Sequence, residues 1–400
     1  MEEEVKYTLI GFVLLMLCPL LSIPYIIYGI WHRRQGAYFL FSLFLGLMAY
    51  ISVPSEDLYR HYYLFSYFAV RPVSSVSWID ISLNGVLPYL YWVMAHTGTP
   101  YGLIRLVELT LGFWLLCRVF DWMMNHSNQE YSKGEVFARF AILFLFFDFM
   151  YTTMGVKFGF ALCTYIYSLH LILNKGRKLP GLLWLVLTCC WHSSFIFTGL
   201  FVYAIYRFNP SRKTALWICG LLAIVAPIVI GIAGEALLGR RFEFYFSKRA
   251  DDVASYGAMT TTGLVFYILP KLTVIPFAVL LLKHYDTEKK WCRVALGWLI
   301  LAIALMSNAV TFYRFWWAFM ATGVIMFLEL EWRVVFSKRV IGALVVCGCL
   351  FTALNTLTYH SEVMHSPYYK AFAPAPVILS QDYDKQWVYS HIKHNGRIRK

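Results

Sequence analysis

The sequence predicts an all-α polytopic membrane protein of about eleven to twelve transmembrane helices, and three observations carry that prediction. Hydrophobic residues make up 60% of the 400 and charged residues only 14%, outside the range of soluble domains. Apolar stretches approaching the ~30 Å thickness of a bilayer core recur along the chain. Between them Lys and Arg come in short clusters, the pattern by which membrane topology is encoded. The formal charge of +13 therefore follows from topology and does not call for a nucleic-acid partner.

Hydropathy places spans near residues 8–30, 36–53, 101–120, 136–153, 157–174, 214–234, 262–283, 293–308, 311–330 and 337–357. The first is read as a retained helix, because MEEEVK is acidic where a signal peptide is basic and no small-residue cleavage site follows. Arg33 with Arg34, Lys175 with Arg177 and Lys178, Arg207 with Arg212 and Lys213, Lys289 with Lys290 and Arg293, and Arg333 with Lys338 and Arg339 are assigned to the cytoplasm. Residues 54–100 then lie outside. Residues 180–206 fall between two clusters that claim the same side, yet about 26 residues at ~1.5 Å each cannot cross twice. A re-entrant helical hairpin with Trp191–Ser194 at its tip satisfies both; a single tilted helix is the alternative and inverts every later loop. Residues 82–96, interrupted by Pro88, read as an interfacial or re-entrant helix. The expected organisation is one transmembrane domain over 1–357, with outer loops at 54–100 and 235–261, and a polar, Tyr-rich tail over 358–400 lying outside.

All nine cysteines fall in or beside apolar spans and read as small hydrophobes, neither a disulfide framework nor a metal site. No GxGxxG, Walker, HExxH or GxSxG pattern is present, so no motif supports nucleotide-driven transport or metal hydrolysis, and no cofactor is expected.

Polar residues interrupting this apolar background are the candidates for chemistry. In VPSEDLYRHYYLFSYF, residues 53–68, Pro54 and Ser55 offer a helix start that sets Asp57, Arg60 and His61 on one face. Asp57 can then act as a general base toward a sugar hydroxyl, Arg60 can meet phosphate, and Tyr59, Tyr62 or Tyr63 can support a sugar ring; an interfacial aromatic belt with a local ion pair is the plainer reading. Lys157 and Arg314 stand at or within apolar spans on the outer side, where a cation costs up to about 3 kcal/mol of insertion free energy. A lipid diphosphate or a buried acid can repay that. Arg105 and Glu108, three apart in one span, read as an internal ion pair, and Asp148 as a partner of Lys157 or Arg139. His192, at the hairpin tip with Ser193 and Ser194, reads as a substrate-contacting group or a structural histidine. Arg240, Arg241, Lys248 and Arg249 interleave with Phe242, Phe244, Tyr245 and Phe246 in an outer loop, as an amphipathic helix on anionic lipid or a funnel for phosphorylated substrate.

Four short stretches resemble the EpsG-like group of Wzy-type polysaccharide (O-antigen) polymerases. They are EDLYRHYY (Glu56–Tyr63), KFGFA (Lys157–Ala161), WHSS (Trp191–Ser194) and YRFWW (Tyr313–Trp317), within a similarity running over roughly residues 36–330. Lys157 stands where that family's pattern expects Arg, replacing a bidentate fork by a point charge. The resemblance implies polymerisation of undecaprenyl-diphosphate-linked oligosaccharide repeat units at the periplasmic face of a bacterial inner membrane, without metal or cofactor. It implies catalytic roles for Asp57, His192 and Arg314, with substrate contacts from Arg60, His61, Tyr59, Tyr62, Tyr63, Lys157, Arg240 and Arg241. Membrane lipids and a chain-length regulator protein are the implied partners. A lipid-linked-oligosaccharide flippase, and a glycosyltransferase of GT-C-like architecture using a lipid-phosphate sugar, remain the rival classes. A membrane acyltransferase using His192 is a third.

Overall fold

The computed structural model describes residues 2–55, 57–77, 81, 84–127, 130–238, 269, 272, 275–305, 309–330, 338–381, 383, 385–393 and 398. Among these the chain is helical throughout, with no strand beyond a single antiparallel bridge from Ile392 to Ile398. It divides into two compact units: residues 1–140, 148–195 and 359–400 form the first, and residues 141–147 and 196–358 the second.

The first apolar stretch folds back on itself. Helix α1 (Glu2–Leu17) and α2 (Pro19–Trp31) are separated by Cys18 in an extended conformation, and Pro19 opens α2, where its missing N–H is no loss. The Tyr7 hydroxyl donates to the Tyr25 carbonyl at 2.6 Å and the Tyr25 hydroxyl to the Tyr7 carbonyl at 3.0 Å, with the rings stacked at 4.4 Å. Glu4 lies 3.6 Å from Arg34 and accepts the Gly36 N–H at 2.7 Å. The single span expected at 8–30 is thus an antiparallel hairpin; hydropathy sums over both arms and is blind to the turn.

Helix α3 (Gln35–Ile51) runs from that Arg34 end to the segment before α4 (Asp57–Phe68). Helix α5 (Leu87–His96) carries Pro88 in its first turn, so this proline starts the helix instead of interrupting it. Helix α6 (Gly102–Asn125, 24 residues) packs closely on α3: a Cβ on Gly46 would sit 2.7 Å from the Leu106 carbonyl. The stretch 136–153 is likewise broken, into α7 (Lys133–Phe146) and α8 (Phe149–Met154), because the Asp148 carboxylate accepts the Met150 N–H at 2.9 Å and caps a new helix. Helix α9 (Val156–Leu173) follows at once. Helices α10 (Lys178–Trp191) and α11 (Ser194–Phe208) are separated at His192–Ser193, so residues 180–206 are not one continuous helix.

The second unit holds α12 (Arg212–Leu238), α13 (Ile275–His284), α14 (Lys290–Ala304), α15 (Ala309–Glu329) and α16 (Lys338–Thr358). Helices α14 and α15 pack against each other, with the Trp298 ring stacked on Phe315 at 6.0 Å, and the Glu329 carboxylate accepts the Trp291 backbone N–H at 2.8 Å. Of the described helices, one segment, Arg339–Thr358, is long and apolar enough by itself to cross a membrane; Pro19–Trp31, Gln35–Ile51, Lys157–Leu173, Lys178–Trp191 and Ser194–Phe208 are shorter apolar helices. Within the expected span 262–283, the continuous described helix is α13, and most earlier residues lie outside the described set.

Residues 359–400 are folded into the first unit, not set apart as a tail. They form α17 (His360–His365), α18 (Ala375–Leu379) and α19 (Lys385–His391). Tyr50 donates to the carbonyls of Leu379 at 3.0 Å and Gln381 at 2.9 Å, Tyr383 donates to the Ile51 carbonyl, and Ser366 accepts the Val53 N–H at 2.9 Å. Val388, Ile392 and Ile398 enter the same buried cluster as Tyr59, Tyr62, Tyr91 and Tyr101. Their apolar side chains are spaced among polar ones, so the segment's average polarity hides them. All nine cysteines are free thiols, and no cluster of metal-binding side chains occurs among the described residues.

Candidate active site

Asp57 opens α4, and its carboxylate accepts a charge-assisted bond from Arg60 at 3.0 Å, as the i, i+3 spacing expects. Both side chains stay partly open, at 31% and 46% exposure, so this pair contributes at most about 1 kcal/mol to stability. His61 sets its ring edge-on to Tyr91 at 6.0 Å. Tyr63 is exposed, whereas Tyr59 and Tyr62 are buried at 5% and 4% and hold α4 against α5 and α6. Their rings are packing groups in this structure. The backbone entering α4 is held from α6: Arg105, fully buried, donates to the carbonyls of Ser52 at 2.6 Å and Tyr50 at 3.2 Å, and the Tyr101 hydroxyl donates to Leu58 at 3.2 Å.

This use of Arg105 corrects one expectation. Among the described residues no Arg105–Glu108 ion pair forms; the guanidinium caps the end of α3, while Glu108, 3% exposed, accepts the Trp191 indole N–H at 2.5 Å. Side chains three apart on a helix are neighbours, but better-placed partners on other helices take each of them.

Lys157 lies in the first turn of α9, 8% exposed, with Nζ 3.4 Å from the Asn84 side-chain oxygen. Asn84 belongs to a turn docked on the α10–α11 break, where the Val86 N–H donates to the Cys190 carbonyl at 2.9 Å. Gly85 makes this docking sterically feasible: its φ is +62°, and a Cβ there would fall 1.9 Å from the Cys190 oxygen. Gly85→Ala is therefore expected to cost about 2 kcal/mol or more, from left-handed strain plus the clash, and to lower Tm in a detergent-solubilised thermal melt. An unchanged Tm would show that this turn does not dock as described.

At the break, His192 Nδ1 is 2.8 Å from the Ser194 hydroxyl, and the imidazole meets Phe158 edge-on at 5.5 Å, next to Lys157. Ser55, two residues before Asp57, reaches the Met154 sulfur at 3.6 Å, just ahead of α9. The Asp57, Lys157 and His192 segments thus gather at one end of the first unit. The opposite end holds basic residues: Arg33 donates to Asn125, and Arg118 to Gln35 at 3.0 Å. Arg314 lies in the second unit, on α15, half-buried beside the buried rings of Phe315, Trp316 and Trp317. Glu56 and the Arg240, Arg241, Lys248 and Arg249 cluster lie outside the described residues. Asn84 is the site-adjacent polar residue that sequence reasoning passed over, whereas Glu108 was noticed as an acid inside an apolar span and given the wrong partner.

An all-helical architecture whose described helices are mostly apolar is that of a helical membrane protein. The chain belongs to the EpsG family, whose model matches residues 37–372 and so includes all four stretches that carried the resemblance. Membership makes it a polysaccharide-polymerase-type protein of glycosyltransferase-like class. Neither a curated protein nor a solved structure matches the chain.

Proposed function

We propose that the protein polymerises undecaprenyl-diphosphate-linked oligosaccharide repeat units into a surface polysaccharide such as O-antigen, at the periplasmic face of a bacterial inner membrane. The observation that supports this reading is that the segments carrying Asp57 with Arg60, Lys157 and His192 meet at one end of the first unit. These are a base, cations for phosphate and an imidazole, the groups that glycosyl transfer from a lipid diphosphate requires.

In the proposed reaction an acceptor sugar hydroxyl attacks the anomeric carbon of the donor glycan. The new C–O bond forms as the bond from that carbon to the diphosphate breaks, and the hydroxyl proton passes to Asp57 or, through the Ser194-held imidazole, to His192. Negative charge developing on the departing lipid diphosphate is met by Lys157 and Arg60. Arg314 is assigned to a lipid diphosphate on its sequence context, as a buried-helix guanidinium suited to a bidentate phosphate contact. Exposed Tyr63 and edge-on His61 are the groups left to contact sugar, since Tyr59 and Tyr62 are committed to packing. Arg240 and Arg241 are proposed to attract the anionic substrate. No metal is assigned a role because side-chain cations supply the charge.

Asp57→Asn tests this reading. It removes the base while sparing the fold, because the pair it breaks is exposed. Turnover of lipid-linked repeats in reconstituted vesicles is expected to fall by roughly 10²–10⁴-fold at unchanged protein level. Wild-type turnover in the variant would exclude Asp57 as the base.

A further inference from the structure

Glu108 is a carboxylate at 3% exposure on a mainly apolar helix, a position with a large desolvation cost that calls for a compensating contact. Arg105 is not hydrogen-bonded to it, since both its terminal nitrogens donate to the Ser52 and Tyr50 carbonyls. The contact Glu108 does make, at 2.5 Å, is to the Trp191 indole N–H. Trp191 is the last residue of α10, and its ring meets Phe160 edge-on at 5.1 Å. The contacts that follow close into a loop: His192 on Phe158, Lys157 on Asn84, and Val86 back onto Cys190.

We propose that Glu108 is a positioning residue: by holding the Trp191 indole it fixes the His192–Ser193 break against the Lys157 end of α9. The polymerising role of that end is the reading proposed above, and the catalytic half of this inference rests on it. Glu108 does not touch substrate. It sets where His192 and Lys157 stand relative to each other.

The test uses the full chain in lipid vesicles supplied with a lipid-linked repeat unit, comparing Glu108→Ala, Glu108→Gln, Trp191→Phe and Glu108→Ala combined with Trp191→Phe. Hydrogen exchange at the Val86 amide reports docking of the 84–86 turn independently of activity. Glu108→Ala and Trp191→Phe are each expected to speed that exchange at least tenfold, and the double variant no further, because the two act through one bond. Both are expected to lower kcat at least tenfold while KM stays within twofold. Glu108→Gln keeps an oxygen acceptor for the indole and is expected to restore protection and most of the turnover. Additive effects, a Gln variant as impaired as the Ala variant, or unchanged exchange would each overturn the inference. If the wild type fails to polymerise lipid-linked repeats while exchange responds as expected, the polymerase reading falls and the positioning contact stands.

Discussion

Replacing Arg314 by alanine is expected to abolish long-chain glycan while single repeat units still reach the cell surface. Arg314 lies on α15, half-buried, and the three residues after it, Phe315, Trp316 and Trp317, are buried, so the alanine variant keeps the helix's main packing groups. The guanidinium's expected contribution is to the transition state. Loss of one preorganised donor to a developing oxyanion typically slows a reaction by about 10²–10³-fold, or roughly 3–4 kcal/mol, and processive chain growth compounds that loss at every cycle. Arg314→Lys keeps the charge without the planar fork and should fall between wild type and alanine. The measurement is the ladder of surface glycan resolved by length. Wild-type banding in the alanine variant would defeat the assignment, and loss of single units from the surface would favour export as the function.

Lys157→Met carries the second large effect. The methionine approximates the buried volume, so what disappears is the ammonium and its 3.4 Å contact with Asn84. Turnover is expected to drop at least about 10²-fold, the scale of one lost charge contact to a leaving diphosphate. Part of the change will be structural, because the turn carrying Asn84 loses its contact with the ammonium. Lys157→Arg separates the two contributions: it restores the charge and the fork that the family pattern expects, and should recover most of the turnover. Full activity in Lys157→Met would exclude a diphosphate role for this residue.

The candidate site was legible where chemistry is local. Asp57 and Arg60 are three residues apart, and helical spacing alone brings them together. Lys157 and His192 stood out because a cation or an imidazole in an apolar run is costly, and their segments touch where Phe158 meets the His192 ring, with Ser55 reaching Met154 just ahead of them. The same local reasoning misassigned Arg105 and Glu108. Adjacency on one helix suggested a pair, whereas Ser52 and Tyr50 from α3 claim the first and Trp191 from α10 the second. Tyr59 and Tyr62 illustrate a related limit: an aromatic at a membrane boundary can face a sugar or a core, and which it does depends on α5, α6 and the C-terminal segment packed over it.

The amino-acid sequence alone determined the class of protein, the apolar character of its helices and the segregation of polar groups, because transfer of side chains from water into an apolar medium is a property each residue carries by itself. Tertiary structure alone decided three further things: that residues 2–31 form a hairpin, that the last forty or so residues close over α3 and α4, and that Glu108 meets Trp191. Each depends on the direction in which the chain leaves a turn and on contacts between segments far apart along it. Hydropathy, a sum over neighbouring residues, carries neither.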